Sequence, residues 1–140
     1  MSKVKHRVIA FELPGKWTVV AGATDADNDY LSTELAEPDD WWFHADGVPG
    51  SHVILRAKAD VEPSRDTLRQ AAAIAAYYSK ARHAGIAPVH CTRARFVKKP
   101  RGVKIGTVQL SRSSLLKVRP DVSFATRTRV EPRVETGENE

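Results

Sequence analysis

Apolar positions fall in short extended runs along the front of the chain and at a three-to-four spacing in its middle. Residues 6–13 are rich in β-branched and aromatic types and stop at Pro14-Gly15; residues 17–22 resume the same character at once, which predicts a hairpin. Residues 25–35 are polar, with Tyr30, Leu31 and Leu35 offering a short helical period, so a loop or a one-to-two-turn helix is expected there. Residues 41–44 and 51–56 read as two further extended segments around Asp46-Gly47-Val48-Pro49-Gly50, a second hairpin or tight connection. A helix is predicted to start at Ser64, which can cap it, with Asp66 in the first turn. Leu68, Ala71, Ala72, Ala75 and Tyr78 make one face; Lys80, Arg82 and His83 suit the last turn, and Gly85 a left-handed stop. So many alanines imply close packing on a sheet.

Residues 88–97 alternate imperfectly, as a strand with a slip or bulge does. A basic loop follows, Lys98-Lys99-Pro100-Arg101-Gly102-Val103-Lys104-Ile105-Gly106, and residues 107–110 and 115–118 predict two short strands. Beyond Pro120 little remains that could pack, so residues 121–140 are expected to be a disordered tail behind one domain, residues 1–120. The expected fold is α+β: a mixed, mainly antiparallel sheet with one long helix packed on it.

Composition agrees with a single core: 140 residues, 41% of them hydrophobic. The net charge of +5 is mild, but its distribution is not. Residues 80–119 hold eleven Lys and Arg and no acidic residue, whereas the other hundred carry −6. Such asymmetry predicts a face that attracts a polyanion. Cys91 is the single cysteine, so an internal disulfide and a CxxC metal site are excluded. The sequence contains neither a membrane-length apolar run nor the h-region of a secretory signal, and a cytoplasmic location is the default expectation.

The densest chemistry lies in residues 39–56. Alternation puts Trp42 and His44 on one strand face, and Trp41 and Phe43 on the other. An exposed Trp42 beside His44 could stack on an unpaired base; alternatively both aromatic pairs are core and His44 serves the backbone. A hairpin could join His44, Asp46 and His52 as metal ligands or acid–base groups, although HExxH and a Cys partner are both missing and the ligand count is low for a structural metal. Pro49, Gly50 and Ser51 could bring backbone N–H groups and a hydroxyl close to a phosphate, or simply form a turn. In the basic loop, Pro100, Gly102 and Gly106 hold the cations apart, which suits an irregular polyanion such as folded RNA.

Trp42-Phe43-His44 followed by Pro49-Gly50-Ser51-His52-Val53-Ile54 resembles the NFACT-R domain, the RNA-binding module of the NFACT ribosome-associated quality-control proteins. The resemblance continues through Asn28-Asp29-Tyr30-Leu31, residues 71–82, and Val97-Lys98-Lys99-Pro100-Arg101-Gly102 with Gly106, covering residues 4–120. It implies binding to ribosomal RNA or tRNA on the ribosome, with no cofactor and no catalytic centre. The positions it implicates are Asp29, Trp42, His44, Pro49, Gly50, Ser51, His52, Lys98, Lys99, Arg101 and Gly102, and Arg93, Arg95 and Lys104 join them as nearby cations. One departure stands out: the Gly-Arg-Asn common in the family is Gly22-Ala23-Thr24 here, and Asp27 replaces a Gln, so a basic contact is lost and acidity gained. The N-terminal domain and coiled coil of full-length relatives are expected to be absent from 140 residues. Two other readings are a metal-dependent hydrolase of nucleic acid using His44, Asp46 and His52, and an adaptor whose basic face meets an acidic protein.

Overall fold

The computed structural model describes residues 4–128 and 133–135. Strands β1 (Val4–His6), β2 (Val8–Leu13) and β3 (Trp17–Gly22) lead into helix α1 (Asp25–Tyr30), which runs on as a wider helical turn, Leu31–Leu35. After β4 (Trp41–Ala45), β5 (Val53–Leu55), helix α2 (Arg65–Tyr77) and β6 (Ala87–Arg93), a tight turn at Ala94–Phe96 opens a series of short strands. These are β7 (Val97–Lys98), β8 (Gln109–Leu110), β9 (Ser114–Val118), β10 (Thr126–Thr128) and β11 (Arg133–Glu135). Among the described residues the main sheet runs β10-β2-β3-β5-β4-β6-β9, each neighbouring pair antiparallel.

Both predicted hairpins form. The β2–β3 turn passes through Gly15 and Lys16, both with positive φ (87° and 61°), so the glycine supplies a conformation that other residues rarely adopt. Alternation then sends side chains to two separate cores. Phe11, Leu13, Val19, Phe43, Val53, Leu55 and Val89 face α2, whose Ala71, Ala72, Ile74, Ala75 and Ala76 are fully buried. Ala10, Val20, Trp42 and Ile54 face the other way, under Tyr30, Leu31 and the segment that includes Val97, Val108 and Leu110. The sheet is therefore covered on both faces. That explains why the central strands read as nearly continuous apolar runs.

The single long helix is replaced by two short ones. α2 is capped by Ser64, which accepts the Thr67 N–H, but stops at Tyr77. Ser79 then bridges to Gly50, and the Lys80 N–H donates to the Pro49 carbonyl, so these contacts replace a further helical turn. The other helical segment is 25–35, where Thr24 and Asp27 form a reciprocal capping box.

The expected disordered tail is also corrected where it is described. Val122, Phe124 and Ala125 pack against the α2 core, and Thr126–Thr128 adds an edge strand to β2. Backbone pairing at a sheet edge needs no apolar side chains, and all three of these residues are exposed. β11 pairs with β1; residues 129–132 and 136–140 lie outside the described residues.

Candidate functional site

The basic loop is held as a rigid shape by one acidic residue. Asp29, on α1, takes the Lys99 ammonium at 3.3 Å with Oδ2 and the Gly106 N–H at 3.0 Å with Oδ1. Lys99 also donates to the carbonyls of Thr107 (2.7 Å) and Lys104. One carboxylate and one ammonium thus tie the start of the loop to its end. Asp29 and Lys99, both implicated by the resemblance as RNA-binding positions, are half-buried components of a clamp within the fold. Gly102, at φ +83°, lets the loop reverse. The clamp leaves Lys98, Arg101 and Lys104 exposed, and none of them pairs with a carboxylate among the described residues.

Asp29→Ala is expected to release the loop without unfolding the domain. Trypsin cleavage after Arg101 and Lys104 should accelerate at least tenfold while the far-ultraviolet spectrum stays unchanged; unaltered cleavage would remove the clamp role.

Arg93 and Arg95 are already engaged. Arg93 donates to Glu62 (2.7 Å) and to the Asp39 carbonyl (2.8 Å), and its guanidinium lies 4.1 Å from the Trp41 ring centre. Arg95 pairs with Asp39. These two cations serve the fold at the end of β6, so the run of eleven basic residues is partly neutralised by carboxylates distant in sequence.

Trp42, His44 and His52 do come together, but inside the molecule. Trp42 is 2% exposed and His52 3%. The Trp42 indole N–H donates to Ser32 Oγ at 2.8 Å, and the Ser32 hydroxyl in turn meets His52 Nδ1 at 2.7 Å. An indole can only donate, so Ser32 Oγ accepts from Trp42 and keeps its own proton and a second lone pair for the contact with His52. The His44 and His52 rings meet edge to face, centroids 5.2 Å apart. Trp42 therefore offers no open face to a base: α1 and the 97–110 segment cover it, the core alternative holds for Trp42, and His52 is buried beside it. Ser32, which anchors both, carried no signal in the sequence because its partners lie ten and twenty residues away.

Burial pushes the His52 pKa down to about 4, and the neighbouring His44 adds to the drop, against the opposing pull of Asp29 and backbone hydrogen bonds at Asn28 and Gly106. Burial lowers His44 as well. An unfolded chain holds an ordinary imidazole near 6.5, so between about pH 6.5 and 4 the unfolded state binds the proton first. Stability is complete above pH 6.5 and falls as pH drops through that window. For His52 alone the loss on going from pH 8 to pH 5 is about 2 kcal/mol. Urea midpoints across this range check it, and His52→Gln should flatten the profile.

Pro49, Gly50 and Ser51 form a joint rather than a phosphate cradle. The Ser51 hydroxyl donates to the Gly22 carbonyl (2.6 Å) and its N–H to the Tyr78 carbonyl (2.9 Å). Asn28 closes the joint from α1: its amide donates to the Gly50 carbonyl (3.3 Å) and its oxygen accepts the His52 N–H (3.0 Å). A Cβ on Gly50 would sit 2.6 Å from Ser79 Cβ, so the glycine is required by the close approach of the chain leaving α2. The motifs 22–28, 49–52 and 77–82 converge here for packing reasons. Beside the joint lies an open cleft of about 380 Å³ rimmed by Thr24, Tyr77, Lys80 and Arg82. Asp27 is buried, accepting the N–H groups of Thr24 and Arg7 and contacting His6, so the acidity expected on this surface is inside the fold.

His44, Asp46 and His52 do not assemble as ligands: His52 is held by Ser32, and Asp46 bonds His90 Nε2 at 2.8 Å. Among the described residues no group of three or more His, Cys, Asp or Glu side chains could hold a metal ion. Burial raises the Cys91 thiol to about 12, which makes it a poor nucleophile. No described helix is long and apolar enough to cross a membrane.

The fold and these contacts define an α+β domain with a clamped cationic loop on one sheet face. The sequence model of the family described as the NFACT protein RNA binding domain matches residues 7–112, and the chain belongs to that family. It is 40% identical over 111 residues to the Rqc2 homolog RqcH of Bacillus subtilis, and 38% over 106 residues to that of Streptococcus suis. These alignments cover 79% and 76% of this chain but 19% of each relative, so the chain spans about a fifth of their length. Among solved structures it resembles the C-terminal part of the fibronectin/fibrinogen-binding protein from Streptococcus suis (TM-score 0.76, 32% identity), over 82% of this chain and 46% of that one.

Proposed function

We propose that this domain binds RNA, with ribosomal RNA or tRNA as the target and ribosome-associated quality control as the setting, and that it acts as a binding module rather than an enzyme. The observation that carries the reading is the clamped loop, which holds Lys98, Arg101 and Lys104 exposed and without carboxylate partners among the described residues. Cations fixed in space and separated by Pro100 and Gly102 lose little entropy when phosphates bind, which favours a polyanion of irregular shape. Lys80 and Arg82 extend the cationic surface on the other side of α1, at the cleft beside the joint, with Arg82 stacked 4.0 Å from the centre of the Tyr77 ring. Membership of the NFACT RNA-binding family supports the same reading.

Binding of fluorescein-labelled tRNA and of a ribosomal RNA fragment, followed by anisotropy from 50 to 300 mM salt, tests it. A linear fall of log K with log salt is expected. No binding at low salt, together with capture of an acidic protein that survives nuclease treatment, would overturn it in favour of an adaptor.

A further inference from the structure

The cleft beside the joint and the basic loop share one wall, the first turn of α1. Asp25 lines the cleft together with Tyr77, Lys80 and Arg82. The same Asp25 side chain lies against the loop: a Cβ built on Gly106 would sit 2.8 Å from its Cγ. One turn further on, Asp29 clamps Gly106 and Lys99, as expected for residues four apart on one helical face. The two cationic surfaces therefore adjoin at Asp25. That residue is exposed, and it pairs with no cation among the described residues.

Arg82 is a donor fork that the fold already holds still. Its Nε–H donates to the Tyr77 carbonyl at 2.7 Å, and its guanidinium carbon lies 4.0 Å from the centre of the Tyr77 ring, so two separate contacts anchor the group. With Nε engaged, the two terminal NH₂ groups retain four N–H donors. Neither Arg82 nor Lys80 meets a carboxylate among the described residues. A planar fork that is fixed beforehand loses little rotamer freedom when it grips two oxygens of a phosphate. A solvated arginine lacks both anchors.

We propose that one RNA chain, bound at Lys98, Arg101 and Lys104, continues past Asp25 into this cleft, where Arg82 and Lys80 take a further phosphodiester. The inference rests on the RNA-binding reading above and deepens it by setting the path of the strand. It also gives Asp25 an opposing role. A phosphate passing between the two cationic surfaces comes close to the Asp25 carboxylate, and the repulsion of like charges there limits the affinity.

The test uses two labelled oligouridylates titrated by anisotropy across salt, one of about four nucleotides, which covers one surface at a time, and one of about twelve, which spans both. Joining two contacts in one ligand makes the second intramolecular, so the long probe is expected to bind the wild type far more tightly. Lys80→Ala combined with Arg82→Gln should weaken the long probe about tenfold and make its salt slope shallower by about 1.4, from two contacts of about 0.7 each. The short probe should lose at most about twofold, because the loop still accepts it. Asp25→Asn should strengthen the long probe about threefold. Should Arg82→Gln lower the melting temperature, Lys80→Ala and Asp25→Asn, both changes of exposed side chains, decide by their opposite signs. Equal losses for the two probes, an unchanged slope for the long one, or no gain from Asp25→Asn would overturn the continuous path and leave the RNA reading standing. Absence of salt-dependent binding of either probe to the wild type would overturn both.

Discussion

Replacing Lys98, Arg101 and Lys104 together by alanine is expected to weaken RNA binding about a hundredfold near 0.1 M salt. The salt slope for a single strand should become shallower by about 2, because each lost phosphate contact removes about 0.7. The fold should be indifferent: all three side chains are exposed and unpaired among the described residues, and such surface changes usually alter stability by less than about 0.5 kcal/mol. Anisotropy titrations across salt, with a melting curve on the same samples, separate the two effects. An unchanged slope would show that phosphates bind elsewhere. Lys99→Ala makes a useful contrast, because Lys99 holds the loop together through Asp29, Thr107 and Lys104. It should weaken binding through loss of loop shape and also expose the loop to trypsin.

Asn28→Ala is expected to destabilise the domain by about 3 kcal/mol. Asn28 is 5% exposed, and its side chain satisfies the His52 N–H and the Gly50 carbonyl, two backbone groups that alanine would leave without it. Each buried group left unsatisfied costs about 1–3 kcal/mol. For a chain of this size the melting temperature should fall by about 10 °C. Asn28→Asp keeps an acceptor for His52 but loses the donor to Gly50, so it should fall between the wild type and alanine. A loss below about 1 kcal/mol for Asn28→Ala would show that the joint closes without the amide.

The extended segments, the Ser64 cap and the basic loop were legible because each depends on neighbours within a few residues. Alternation along 41–44 separated Trp42 from Trp41 and Phe43 correctly, but it could not say whether the Trp42 face was open. That depended on residues 31–36 and 97–110, which reach the sheet from far along the chain. The extension of α2 to His83 failed for a similar reason: the local sequence suits a helix, yet Ser79 and Lys80 bond Gly50 and Pro49 instead. The tail was misread because composition records side chains, whereas Thr126–Thr128 joins the sheet through its backbone.

The same division runs through the site. The amino-acid sequence by itself determined that residues 80–119 carry eleven Lys and Arg with no acidic residue and that the motifs match the NFACT RNA-binding family, since charge and motif spacing are properties of the chain. Only the tertiary structure decided which of those charges remain available. Arg93, Arg95 and Lys99 meet Glu62, Asp39 and Asp29, thirty or more residues away, while Lys98, Arg101 and Lys104 do not meet a carboxylate among the described residues. Ion pairing depends on distances of a few ångströms between folded surfaces, and no linear pattern contains them.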